Sequence, residues 1–205
     1  MITLTEFATT ASIISLFVGY LCGSIPFGLV LTKLFAGTDI RAIGSGNIGA
    51  TNVLRTGNRT LAFATLLLDA GKGAVAIVVM EAFFSAESAG LAGAGAVLGH
   101  CFPVWLRFAG GKGVATSMAV VAALSWQAGL IMSISWLLVA RISGYSSLAA
   151  ILSFVTAGLF ALTLPPVEAC VILFISVLSW VRHYKNVKRL LSGTESKISL
   201  SRSKS

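Results

Sequence analysis

Acidic side chains are scarce in this sequence: seven Asp and Glu stand against fifteen Lys and Arg, and charged residues make up only 11% of the 205 positions. Apolar residues account for 56%, more than a soluble domain can hide, so the composition places the chain among polytopic membrane proteins. Cysteine is scarce too. Cys22, Cys101 and Cys170 are odd in number, lie in or beside apolar runs and lack metal-ligand spacing, which reads as small core residues. The formal charge of +8 raises nucleic acid as a partner, but no stripe of basic and aromatic residues interleaves as that function needs. Basic loops on one side of a bilayer explain the charge better. No basic n-region precedes the first apolar run, and the run exceeds a signal peptide's h-region, so a retained span is expected.

Several catalytic signatures are also missing. The fifth position after His100 holds Trp105 and after His183 holds Lys188, so the His-x4-Asp acyltransferase arrangement is absent. There is no Gly-x-Ser-x-Gly elbow for a serine hydrolase. Gly44-x-Gly46-x-x-Gly49 matches the dinucleotide fingerprint formally, but lacks the strand and the soluble βαβ helix that give it meaning. Gly110-Gly-Lys112-Gly resembles the end of a P-loop, yet Leu106 stands where its first Gly belongs and Gly113 where its Ser or Thr belongs, which argues against nucleotide hydrolysis. Neither His has a Cys/His/Asp partner at ligand spacing, so no metal is expected.

What is present is a series of apolar runs: 11–34 with Pro26 as a kink, 61–84, 89–106, 148–164 and 167–181. Residues 114–141 read either as one long helix or as a hairpin of two short ones broken near Ser125-Trp-Gln127. Charge decides for the hairpin. With seven spans and the N-terminus outside, the outer segments hold Glu6, Glu81, Glu87 and Glu168 and no Lys or Arg, while the basic residues gather inside. The expected architecture is an all-α bundle of seven helices with a cytoplasmic C-terminus, one integral membrane domain over 1–205. From about 194 a Ser-, Lys- and Arg-rich disordered tail is expected.

That topology puts three polar segments on one face. The first is Ala42–Arg55, where Gly44, Gly46 and Gly49 bring backbone N–H groups inward and Ser45, Asn47, Thr51 and Asn52 add short hydrogen-bonding side chains between Arg41 and Arg55. That composition suits an oxyanion, a phosphate above all. The second is Phe108–Thr116 with Lys112, and the third is the basic stretch Arg182–Arg189. Read singly, each loop is equally a tight interhelical turn; for residues from Lys188 onward the lesser alternative is a juxtamembrane tail for anionic lipid heads. Asp69 and Lys72, at helical spacing inside a span, form either a buried structural ion pair or a ligand site.

In order along the chain stand Gly23-Ser-Ile-Pro26, Gly44-Ser-Gly-Asn-Ile-Gly-Ala-Thr-Asn-Val-Leu-Arg55, Asp69 with Lys72-Gly73, Gly99-His-x-Phe-Pro103, Phe108-x-Gly-Gly-Lys-Gly-Val-Ala-Thr116, Tyr145-Ser-Ser-Leu148, His183-x-x-Asn186 and Gly193-x-Glu195. In this the chain resembles the bacterial acyl-phosphate-dependent glycerol-3-phosphate acyltransferases, integral membrane enzymes of phospholipid synthesis. The resemblance implies transfer of a fatty acyl group from acyl phosphate to the primary hydroxyl of glycerol 3-phosphate, giving 1-acyl-glycerol 3-phosphate and phosphate. It implies a seven-helix fold in the bacterial inner membrane, a cytoplasmic site beside membrane lipids, no cofactor, and an upstream acyl-phosphate-forming enzyme as candidate partner. Carried onto this sequence, it makes Ser45, Arg55, Lys112, His183 and Asn186 catalytic. Gly46, Asn47, Gly49, Thr51, Asn52, His100, Gly110, Gly111, Gly113 and Ser147 become substrate-binding, and Asp69, Lys72 and Glu195 structural. Ser45, Thr51, Asn52 and Arg55 would form one phosphate pocket, with Lys112, His183, Asn186 and Ser147 around the glycerol phosphate. A substrate phosphate oxygen, His183 or His100 would take the proton. Ala109 departs from the family pattern, which often has Lys there; Arg107 is a candidate substitute. A membrane transporter for organic phosphates and a structural lipid-binding bundle are the rival classes.

Overall fold

The computed structural model describes residues 4–198, apart from the side chains of residues 4–8 and of Glu87. The side chains of the acidic markers Glu6 and Glu87, and the whole tail past residue 198, lie outside what is described. Among those described there is no strand. The helices are α1 (Leu4–Gly23), α2 (Phe27–Ala36), α3 (Ala50–Leu54), α4 (Arg59–Phe83), α5 (Ala86–Cys101), α6 (Val114–Leu124), α7 (Trp126–Ser143), α8 (Ser146–Ala161), α9 (Pro166–Arg182) and α10 (Tyr184–Leu191).

Four stretches are long and apolar enough to cross a bilayer: Thr9–Ala36, Arg59–Phe83, Ser88–Leu106 and Trp126–Ser143. A fifth is the pair α9 and α10 taken together, bent by 54° at His183. α6, at 11 residues, spans only about 16 Å at 1.5 Å per residue, roughly half a hydrocarbon core. The break between α6 and α7 falls at Ser125, whose hydroxyl caps α7 by accepting from the Ala128 N–H at 3.3 Å. Both arms of this hairpin were expected to be short. Only α6 is; α7 runs 18 residues because the apolar pattern continues through Ile142.

Pro26 does more than kink the first span: the helix stops at Gly23 and restarts at Phe27. Lys72 reaches across from α4 to donate to the freed Ile25 carbonyl at 2.8 Å, while its Nζ also lies 2.8 Å from Asp69 Oδ1. The Asp69–Lys72 pair thus ties α4 to the break in the first span.

Helices in lipid gain little from burying apolar surface, so they are held by close backbone approach. α1 and α5 meet in this way. Gly19 and Gly23 sit against the Ala92 and Ala96 carbonyls, and Gly95 and Gly99 against those of Leu16 and Tyr20, leaving no room for a Cβ at any of the four. α4, α5 and α6 close round Ile77, Ala92, Val97 and Val120, and α8 and α9 add Phe154, Ala157, Ile172 and Ile175 to the same core. The outward faces carry Phe17, Leu67, Val78, Leu138, Leu159 and Val177, all exposed, as a lipid-facing surface requires.

The segment expected to begin a disordered tail at about 194 is tied down over 194–198. The Ile198 N–H donates to the Gly144 carbonyl at 2.8 Å, and Lys197 lies over the Tyr145 ring. Charge and serine content alone suggested solvation. Glu195, expected from the sequence as a structural residue, supplies the anchor through its basic neighbour Arg189.

Candidate active site

One cavity of about 720 Å³ opens where the first polar loop, the Gly-Gly-Lys-Gly loop, the start of α8 and the α9–α10 bend converge. Ser45, Asn47, Gly49, Thr51, Asn52, Arg55, Asp69, His100, Lys112, Gly113, Ser147, His183, Asn186 and Glu195 all line it. Gly46, Gly110 and Gly111, expected to bind substrate, do not, and nor does Lys72. Gly46 serves the turn instead: Gly44 and Gly46 take left-handed φ of 54° and 69°, which sets Ser45 and Asn47 on the cavity wall.

Asn52 holds that turn together. Its Nδ2 lies 3.0, 3.0 and 2.8 Å from the carbonyls of Ile40, Ile43 and Asn47. Its Oδ1 accepts from Ser45 N at 3.0 Å, Ser45 Oγ at 3.2 Å and Arg55 Nη1 at 3.2 Å. The sequence suggested Asn52 as a substrate ligand. Its amide is taken up within the loop, so it acts as a brace. The free end of Arg55 reaches Ser196 Oγ at 2.6 Å, linking the loop to the C-terminal strap of residues 194–198.

Across the cavity Glu195 organises three neighbours. Oε1 accepts from Ser147 Oγ and from Asn186 Nδ2, each at 2.7 Å, and Oε2 from Arg189 Nε at 2.6 Å. Burial raises the pKa of this carboxyl, but the three hydrogen bonds and the Arg189 charge outweigh it and hold it below the ordinary glutamate value. Because a carboxylate only accepts, the Asn186 NH₂ must face it. Asn186 Oδ1 is therefore turned away, buried and without a donor among the described residues.

His183 closes the α9 terminus, with Nδ1 2.7 Å from the Ser179 carbonyl. A carbonyl cannot donate, so Nδ1 carries the proton and Nε2 is the basic nitrogen of the neutral ring. Lys112 Nζ has no hydrogen-bond partner among the described residues. Burial, with Arg189, Arg55 and Arg182 nearby, pushes its ammonium down to about 8 against the pull of Glu195. Glu195 is offset by these cations and Asp69 by Lys72, so the site is left positive and is built for an anion. His100, also on the cavity wall, has its Nδ1 3.6 Å from Asp69 Oδ1 and its ring packed on Gly111. No group of three or more His, Cys, Asp or Glu stands together as a metal site among the described residues.

The sequence reading missed the far wall. Ala62, Phe63 and Leu66 of α4, Val114, Ala115 and Met118 of α6, and Trp136 and Leu137 of α7 make it apolar. Arg59 stands at its head on α4. The 59–63–66 spacing puts these α4 residues on one helical face, a signal lost within a span that is apolar all round. Arg182 was also passed over as one member of a basic run; its guanidinium grips the carbonyls of Gly110 and Gly111.

A family model described as glycerol-3-phosphate acyltransferase matches residues 13–193. A glycerol-3-phosphate acyltransferase of Rhodospirillum rubrum is 52% identical over 189 residues, covering 88% of each chain. Among solved structures, the integral membrane glycerol 3-phosphate acyltransferase PlsY (YgiH) in its glycerol 3-phosphate form superposes with a TM-score of 0.86 at 36% identity, over 92% of this chain and 96% of that one. Its lysphosphatidic acid form gives 0.84 at the same identity, over 91% and 94%.

Proposed function

This chain belongs to the glycerol-3-phosphate acyltransferase family and is an integral membrane acyltransferase of phospholipid synthesis; from that premise we propose that it moves a fatty acyl group from acyl phosphate to the primary hydroxyl of glycerol 3-phosphate. The products are 1-acyl-glycerol 3-phosphate and inorganic phosphate. The observation that carries the reading is one cavity whose lining joins cations and hydroxyls to an apolar wall. An amphiphile with an anionic head fits such a cavity, its chain lying along Phe63, Leu66, Met118 and Leu137.

The two ends of glycerol 3-phosphate call for opposite partners. Lys112 supplies charge for its phosphate, and Arg55, with Ser45 and Thr51, for that of the donor. Asn186 Oδ1 and His183 Nε2 are acceptors, and Ser147, whose proton points to Glu195, presents its lone pairs. These groups suit the glycerol hydroxyls. Holding the hydroxyl against the acyl carbon turns a bimolecular reaction into a positioned one. The hydroxyl oxygen bonds to the acyl carbon, its proton passes to His183 Nε2, and the bond to phosphate breaks with the electron pair leaving on phosphate. Acyl phosphate is a mixed anhydride with a good leaving group, so no acyl-enzyme is required.

The basic loops and the strap belong on the cytoplasmic face of the bacterial inner membrane, and the chain acts as one seven-span domain with its N-terminus outside. An enzyme that makes acyl phosphate must precede it. The deciding assay uses purified protein with acyl phosphate and glycerol 3-phosphate. Release of phosphate and of the lysophospholipid, each dependent on both substrates, is expected. Product from a thioester donor with none from acyl phosphate would overturn the reading. A cysteine at Ser45 labelled from the periplasmic side would overturn the topology.

A further inference from the structure

The turn that carries Lys112 is held from two sides, by the end of the helix that precedes it and by an arginine distant in sequence. The His100 carbonyl accepts from Gly111 N at 2.9 Å, and the His100 ring fills the space where a Gly111 side chain would stand. From the other side Arg182, the last residue of α9, donates from Nη2 to the Gly110 carbonyl at 2.8 Å and from Nε to the Gly111 carbonyl at 3.0 Å. Its guanidinium lies over the Phe102 ring, 4.9 Å from the centroid, which fixes the plane of the fork.

Peptide planarity turns this grip into a statement about the cavity. Within one trans peptide unit the C=O and N–H point in opposite directions. With the Gly111 carbonyl held toward Arg182, the Lys112 N–H must face away from it, and it has no acceptor among the described residues. Lys112 and Gly113 line the cavity, whereas Gly110 and Gly111 do not. The residue after Arg182 is His183, so one turn of chain ties the loop to the groups that receive the glycerol hydroxyls.

We propose that Arg182 is a positioning residue for the acyl transfer: through the Gly110 and Gly111 carbonyls it sets the loop so that the Lys112 N–H and ammonium converge on the phosphate of glycerol 3-phosphate, opposite His183 and Asn186. The proposal rests on the reading of Lys112 as a ligand of that phosphate. It assigns the work to the two-pronged fork and not to positive charge alone, which makes lysine a discriminating replacement.

The test is steady-state kinetics on the full chain in detergent or nanodiscs, comparing wild type with Arg182→Lys, Arg182→Gln and, as a milder change, Phe102→Leu. Both Arg182 variants should raise KM for glycerol 3-phosphate about tenfold or more, with KM for acyl phosphate within about twofold of wild type. Phe102→Leu should do the same to a smaller extent. Full rescue by Arg182→Lys would mean that charge alone suffices and would overturn the proposal. So would a fall in kcat with both KM values unchanged, the mark of a merely structural role. If Arg182→Gln does not accumulate, Arg182→Lys decides. If wild type makes no product from acyl phosphate, the donor assignment fails separately. Equilibrium dialysis of glycerol 3-phosphate against wild type and Arg182→Lys then still tests Arg182: weaker binding by the variant supports the fork, and equal binding overturns it.

Discussion

The two glycine-rich loops of the cavity are built in opposite ways. The first is closed by its own sequence. Asn52 ties Ile40, Ile43, Ser45 and Asn47 into one turn, all within twelve residues. The second is closed partly by the nearby His100 carbonyl at the end of α5, and otherwise from outside, by an arginine 71 and 72 residues away. Glycine does different work in each. In the first it supplies left-handed turns at Gly44 and Gly46. In the second Gly110 and Gly111 leave the space that His100 and Pro103 occupy. A self-braced loop presents its groups whatever the helices do. A loop held at long range reports every shift between α5 and α9, which suits a segment that must register two reactants.

The largest effect separating the loops is expected at Lys112. Lys112→Ala removes an unpartnered cation aimed at a charged reactant, and kcat/KM should fall by roughly 10²–10³ with the melting temperature little changed. Phosphate-release kinetics beside a thermal melt check this, and near-wild-type activity would leave Arg55 as the sole cation the chemistry needs. Asn52→Ala should behave otherwise. It orphans the Ser45 N–H and the Asn47 carbonyl and takes one of two donors from the carbonyls of Ile40 and Ile43, an unpaired buried group costing about 1–3 kcal/mol. Stability should therefore drop together with activity, the latter by about tenfold to a hundredfold. A variant that loses activity without melting earlier would break the claim that the first loop is self-braced. Smaller still is the change at Glu195. Glu195→Gln keeps an oxygen for Ser147 and Asn186 but places no charge against Arg189, and a loss of about tenfold is expected, rising mainly in KM for glycerol 3-phosphate. If Glu195→Gln and Glu195→Ala prove equal, the orientation of Asn186 does not depend on that oxygen.

The same contrast explains what could be read from the sequence. The breaks at Pro26, Ser125 and Pro165 are local chemistry, a missing N–H or a capping hydroxyl, and they stand where the sequence puts them. The first loop was legible for the same reason: its partners lie inside its own motif or two residues before it. The bracing role of Asn52 was not legible, because a buried amide that braces a turn and one that touches a ligand have the same residue type and spacing. The grip of Arg182 on Gly110 is invisible at any sequence window, since it depends on how α9 packs beside α5. The strap at 194–198 failed on composition, because one glutamate with three donors outweighs a run of serines and lysines. The apolar wall was hidden by excess: in a span where nearly every residue is apolar, periodicity does not single out the face that meets the substrate.

The finest distinction between the loops is in pH. Burial and three neighbouring arginines push the Lys112 ammonium down to about 8. It is a cation below that pH and loses its charge as pH rises through it, so its hold on a phosphate dianion weakens on the alkaline side. KM for glycerol 3-phosphate should be flat from about pH 7 to near 8, since the phosphate's second proton is already gone above about 6, and should then climb. The rise approaches tenfold per unit at most if Lys112 is the only titrating ligand, because one proton is lost per site (about 1.4 kcal/mol per unit). Glu195 remains ionised throughout, its hydrogen bonds keeping its pKa below the ordinary glutamate value, so the strap adds no inflection in this range. In Lys112→Arg the guanidinium does not deprotonate, and the alkaline climb should vanish even if overall affinity is lower. A climb that survives in Lys112→Arg would mean that another group titrates, and that the second loop's contribution to binding is its backbone N–H rather than its ammonium.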